Sequence, residues 1–142
     1  MSQVNPQLKQ RIQTAHDLGA IRNALGILSD DRKKVRPNVF SSVTHLGPTQ
    51  TASQLDVSRP SAYKKEVTVS KKLMEHIVQL VLATDAVYEL LNENREETMK
   101  WLMSPNSIFS GDSPFIVCMR GDGNVVTDWL NARLGRIPGE AF

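Results

Sequence analysis

The chain of 142 residues reads as an all-α protein, and three features of the sequence predict this. Apolar residues recur at spacings of three and four in several segments. No segment alternates with period two over several residues. Helix-boundary residues (Ser-Pro, Asn, Gly) punctuate the apolar runs where caps and stops belong.

Taken in order, Leu8, Ile12, Ala15, Leu18, Ile21, Leu25 and Leu28 predict one helix face, weakened by Gly19 and Gly26. The run Asp30-Asp31-Arg32-Lys33-Lys34 breaks it with a solvated, charged loop. Pro37 is expected to open a short helix bearing Val39, Phe40, Val43 and Leu46, which Gly47 closes. From Ser70, an expected N-cap, the positions Leu73, Ile77, Leu80, Val81, Ala83, Val87 and Leu91 define a long, largely buried helix. Asn92-Glu93-Asn94 forms a turn, and Asn94 with Glu97 starts the next helix in the manner of a capping box. Ser104-Pro105 ends that helix, because a residue before proline is pushed out of helical conformation. Phe109 is placed to fold back onto the core, and Gly111 to let the loop turn. Ser113-Pro114 opens a helix over Phe115 to Met119 that stops near Gly121-Asp122-Gly123. A last helix is expected from about Asn124 to Leu134, ended by Gly135.

Charge divides the chain into two halves. Residues 1–72 hold twelve Lys/Arg against five Asp/Glu, a balance of +7, and residues 73–142 hold five against ten, a balance of −5. Such asymmetry suggests different partners, with the basic half suited to nucleic acid. An enzyme is not expected. His16, His45 and His76 are scattered, the lone Cys118 sits in an apolar helix, and "GDGN" lacks the acidic ligands of a calcium loop. No phosphate-cradling glycine loop, metal-ligand spacing or cofactor motif is present. No apolar run reaches the roughly 18 residues of a membrane span, and the N-terminus lacks the apolar core of a signal peptide, so a cytoplasmic location is expected.

Residues 48–66 carry a helix-turn-helix pattern. Ala52 is the small residue that lets two helices approach, Asp56 occupies the left-handed turn, and Leu55 and Val57 pin the corner. Ser58 is expected to cap a second helix whose first turns, with Pro60 tolerated there, present Arg59, Ser61, Tyr63, Lys64 and Lys65 to phosphates and base edges. The run "ASQLDVSRPSAY" resembles the Ala-x-x-Leu-Gly-Val-Ser-Arg-x-Thr-Val-Tyr pattern of many bacterial regulators, with Asp56, Ser61 and Ala62 as its departures.

The C-terminal half carries a second pattern: Trp101-Leu102, Pro105, Phe109, Gly111, Pro114, Gly123, then Val126 and Leu130. Over roughly residues 70–135 this resembles the Xre/MbcA/ParS toxin-binding domain of type II antitoxins, with Cys118 and Arg120 departing from the usual leucine and threonine. The resemblance implies an N-terminal helix-turn-helix DNA-binding domain over residues 1–69. A small four-helix toxin-binding domain with a tail would then occupy residues 70–142. It implies a partner toxin, of RES or ParT type, that consumes NAD. The antitoxin covers this toxin and obstructs its NAD pocket with the final segment, while its other half binds operator DNA and represses the operon. Trp101, Phe109 and Trp129 are expected to pack the scaffold. The tail residues Arg133, Arg136, Ile137, Gly139 and Phe142 supply guanidinium donors and apolar groups suited to such a plug. Reading a palindromic operator implies a homodimer or a larger assembly with the toxin. The alternative is a stand-alone helix-turn-helix regulator whose C-terminal half only dimerises.

Overall fold

The computed structural model of the chain describes residues 21–136. They are mostly helical and contain no strand, as an all-α fold requires. Two short helices, α1 (Pro37–Thr44) and α2 (Pro48–Leu55), precede a 3-10 turn at Arg59–Tyr63. The long α3 (Lys71–Leu90), α4 (Arg95–Met103), α5 (Pro114–Val117) and α6 (Gly123–Arg133) follow.

Helix boundaries in the second half are set by local hydrogen bonds. Ser70, Asn94 and Ser113 each accept with a side-chain oxygen from the amide three residues on, at Leu73, Glu97 and Ile116. Asn106 caps the 3-10 turn Ser107–Phe109 by accepting from the amide two residues on, at Ile108. α6 closes as a Schellman motif: Gly135, at φ 74°, donates to Ala132, and Arg136 donates to the Asn131 carbonyl. α3 is buried continuously from Ile77 to Val87. It runs in the same direction as α6: Gln79, in the middle of α3, lies beside Gly123 at the start of α6, and Glu89, near the end of α3, pairs with Arg136 just past the end of α6. Between α5 and α6 the chain widens at Cys118–Asp122 and kinks at Gly121, whose φ is 100°. α6 therefore begins at Gly123, one residue before the expected start.

The first half is built differently. Residues 21–28 are not helical, which corrects the expected helix over that stretch; residues 8–20 lie outside the described residues. Asn23 and Gly26 sit at φ 54° and 77°, which no α-helix tolerates. The Asn23 amide group exchanges two hydrogen bonds with the Leu28 backbone. The Asp85 carboxylate on α3 accepts from the Asn23 and Ala24 amides at 3.0 and 2.8 Å. Ile21, Leu25 and Leu28 are buried as their spacing demanded, but on an irregular chain. Val35 then pairs antiparallel with both Leu28 and Val67. α1 also ends differently from expectation: His45, at φ 58°, closes it, and Gly47 is the extended residue that begins α2.

The buried side chains of both halves form one contiguous core. Phe40 on α1 packs edge-on to Phe115 on α5, with ring centroids 5.9 Å apart.

Candidate functional site

Two groups of residues were singled out in the sequence, and they have different fates. In the basic half, α2 ends as expected: Asp56 takes the left-handed conformation (φ 52°), Ala52 is buried at 4% exposure, and Leu55 is fully buried. The expected second helix, however, is only the five-residue 3-10 turn Arg59–Tyr63. Two causes are visible. The Ser58 hydroxyl bonds the Ser61 hydroxyl at 2.8 Å and caps no amide, correcting the expected N-cap. Lys64 then becomes extended (φ −73°, ψ 152°), because Val67 must reach the Val35 backbone, with which it exchanges two hydrogen bonds. Arg59, Tyr63, Lys64 and Lys65 are all exposed, Tyr63 at 69%, and Ser61 is half-buried. They remain a basic surface, but they do not lie along a recognition helix.

Beside this turn lies an open depression of about 360 Å³ lined by Lys34, Val57, Ser61, Lys64, Glu66, Val67 and Thr68. Local sequence patterns missed Lys34, Glu66 and Thr68. Lys34 reaches the turn only through the pairing of Val35 with Val67, a contact spanning thirty-two residues that no helical periodicity encodes.

In the acidic half the motif residues serve as scaffold. Trp101 and Trp129 stack with centroids 6.0 Å apart, and Phe109 meets both edge-on at 6.2 and 6.3 Å. Gly111, at φ 87°, turns the chain back after Phe109. Pro114 is buried at the first position of α5, behind the Ser113 cap, whereas Pro105 is exposed. Gly123 is required by close packing, since a Cβ there would lie 2.5 Å from Gln79 Cβ. Arg120 fastens the Ser104–Phe115 segment to the kink, donating to Asp112 at 2.7 Å and Asp122 at 3.0 Å.

Of the residues assigned to the tail, Arg133 lies over the Trp129 ring at 4.6 Å. Arg136 donates to the Glu89 carboxylate. Ile137, Gly139 and Phe142 lie outside the described residues. Both arginines thus have partners within the chain itself, a feature their sequence positions did not reveal. The same half leaves Ile108, Ile116 and Val125 about half exposed, at 49, 48 and 50%. No motif drew attention to them.

Two titratable groups are perturbed by burial. Desolvation pushes the Asp85 carboxyl above its ordinary value, opposed by the Ala24 and Asn23 amides and by Arg22 and Arg32. Burial raises the Cys118 thiol to about 12, so it stays protonated and unreactive at neutral pH. Among the described residues no group of three His, Cys, Asp or Glu side chains could hold a metal, and no helix is long and apolar enough to cross a membrane.

Comparison with protein-family models, with curated proteins and with solved structures gave no match for this chain.

Proposed function

We propose that this protein is a type II antitoxin: the segment from Ser70 onward binds and silences an NAD-consuming toxin, and the basic half contacts the operon's own DNA. The observation that carries the reading is the division of labour in the second half. Its motif residues Trp101, Phe109, Gly123 and Trp129 are committed to internal packing, while Ile108, Ile116 and Val125 of the same half stand about half exposed. Large apolar side chains presented by a small, well-capped helical unit favour a protein partner over a solvated surface. The chain's lone thiol, Cys118, is buried and held protonated, which suits packing rather than nucleophilic chemistry.

In this reading the antitoxin performs no chemistry. The helical unit covers the toxin and the tail beyond Arg136 occupies the pocket that would take NAD. The basic surface at Arg59, Lys64 and Lys65 supplies phosphate contacts to operator DNA. Co-expression with the adjacent gene tests it. Growth arrest and a fall in intracellular NAD with the neighbour alone, both reversed by this chain with co-purification of the two, is the expected result. A harmless neighbour that never co-purifies would leave the stand-alone regulator as the better account.

A further inference from the structure

We propose that the depression between Lys34 and the 3-10 turn is a phosphate seat whose ligand is the phosphodiester backbone of duplex DNA, gripped without reading its sequence. This rests on the DNA-binding part of the function proposed above and gives it a different contact mode.

Four observations lead there. First, the pairing of Val35 with Val67 brings Lys34 beside Lys64, two exposed ammonium groups from segments thirty residues apart. Neither lies within ion-pairing distance of a carboxylate among the described residues, although the Asp31 carboxyl, held below its ordinary value chiefly by the Lys33 amide and the Ser29 hydroxyl, also feels the charge of Lys33 and Lys34. Second, the hydroxyls are placed to donate. Thr68 Oγ1 makes no hydrogen bond to another described residue, and Ser61 shares its hydroxyl only with Ser58. Third, Glu66, the one acidic group of the lining, faces the Arg36 guanidinium at 3.7 Å, which offsets its charge. Fourth, the lining offers neither an aromatic ring to stack a base nor a guanidinium fork to read one. Compact ammonium and hydroxyl donors over the apolar floor of Val57 and Val67 suit tetrahedral phosphate oxygens.

The source of the phosphate follows from the surroundings. Arg59 and Lys65, exposed in the same short stretch of chain as Ser61 and Lys64, add further positive charge, so a chain of phosphates is matched better than a single free anion. The five-residue turn spans only about 10 Å at 3-10 rise. That is too short to lie along a major groove and present successive side chains to base edges. Contacts made here position the duplex and carry little sequence information.

The test is fluorescence anisotropy of the full chain with a labelled random-sequence duplex over a series of salt concentrations. The Lys34→Gln/Lys64→Gln double variant is expected to bind about tenfold more weakly, with a log–log salt slope shallower by about one to two. Lys72→Gln, which removes a charge outside the depression, should stay within about twofold of wild type. Ser61→Ala/Thr68→Val should weaken binding while leaving the salt slope unchanged, since it removes donors and no charge. A double lysine variant indistinguishable from Lys72→Gln, with wild-type duplex binding intact, overturns the seat and leaves operator binding standing. Wild-type protein that binds neither random nor promoter duplex overturns the operator reading and this assignment together. Lysine-dependent binding of inorganic pyrophosphate in calorimetry, without duplex binding, would make the ligand a free anion and overturn the diester assignment.

Discussion

The two halves of this molecule reach the same shared core by opposite means. From Ser70 to Arg136 the chain is mostly helical, interrupted by turns and by the kink at Gly121, with helix ends fixed by residues within a few positions of themselves. From Ile21 to Val69 only the short α1 and α2 are α-helical, and the rest is irregular chain held by left-handed Asn23, Arg32, His45 and Asp56 and by long-range backbone pairings at Val35. The first kind of order is local and survives small changes. The second depends on partners up to sixty-two residues away, as Asp85 shows with Asn23 and Ala24. The basic half should therefore depend on the acidic half for its shape, more than the reverse.

The largest expected effect comes from breaking the joint between them. Phe40 is fully buried against Phe115. Phe40→Ala should cost about 3–5 kcal/mol in a core of this kind. Urea unfolding followed by tryptophan fluorescence reports the acidic half, where Trp101 and Trp129 reside, and far-UV circular dichroism reports the whole chain. One shared core predicts coincident transitions for wild type; separate transitions would mean that the halves fold independently.

Next comes Asp85. Asp85→Ala strands two backbone donors, and the expected loss is about 2–4 kcal/mol at neutral pH. The pH dependence has a definite sign. The folded-state pKa is raised above the ordinary 3.8. Between those values the native state holds the proton more tightly than the unfolded chain does. The stability of wild type relative to Asp85→Asn should therefore increase as pH falls through that window, and level off below 3.8. A difference that shrinks on acidification would contradict the burial argument.

Gly123→Ala should cost about 1–3 kcal/mol, because Gln79 Cβ belongs to the rigid middle of α3 and cannot retreat. Its effect can be set against Gly111→Ala, where nothing lies within 4 Å and only the left-handed φ opposes the substitution. That change should cost about 1–2 kcal/mol. A Gly123→Ala variant as stable as wild type would remove the packing explanation for Gly123, whose φ of −59° is helical and leaves no left-handed strain to oppose the alanine.

The smallest effects separate real caps from apparent ones. Asn94→Ala should lower stability by about 1 kcal/mol. Ser58→Ala, whose hydroxyl caps no amide, should stay within about 0.5 kcal/mol. A larger loss at Ser58 would restore a helix cap there.

The same contrast explains what could be read in advance. Ser70, Asn94, Ser113, Pro37, Pro114 and Gly135 were legible because a cap or stop is a contact over three or four residues, and sequence displays it directly. The aromatic cluster was legible as a packing motif. The helix expected over Ile21 to Leu28 was not there. Apolar spacing reports which residues are buried, and Ile21, Leu25 and Leu28 are, while Asn23 and the distant Asp85 decide the backbone. The second helix after Asp56 failed for a related reason: Val67 is claimed by Val35, so the chain must extend from Lys64 onward. The Lys34–Lys64 depression exists only through that pairing. In the tail, the partners of Arg133 and Arg136 lie on Trp129 and Glu89, the latter forty-seven residues away.

The central claim is that the exposed apolar residues of the second half meet a toxin. The most direct measurement is co-purification of the adjacent gene's product with this chain, comparing wild type with Ile116→Glu and with Ile108→Glu/Val125→Glu. The account predicts a stable complex with wild type, and loss of both complex and growth rescue in the variants, whose melting temperatures should match wild type. A neighbour that fails to bind the wild-type chain, or binds the variants equally well, would contradict it.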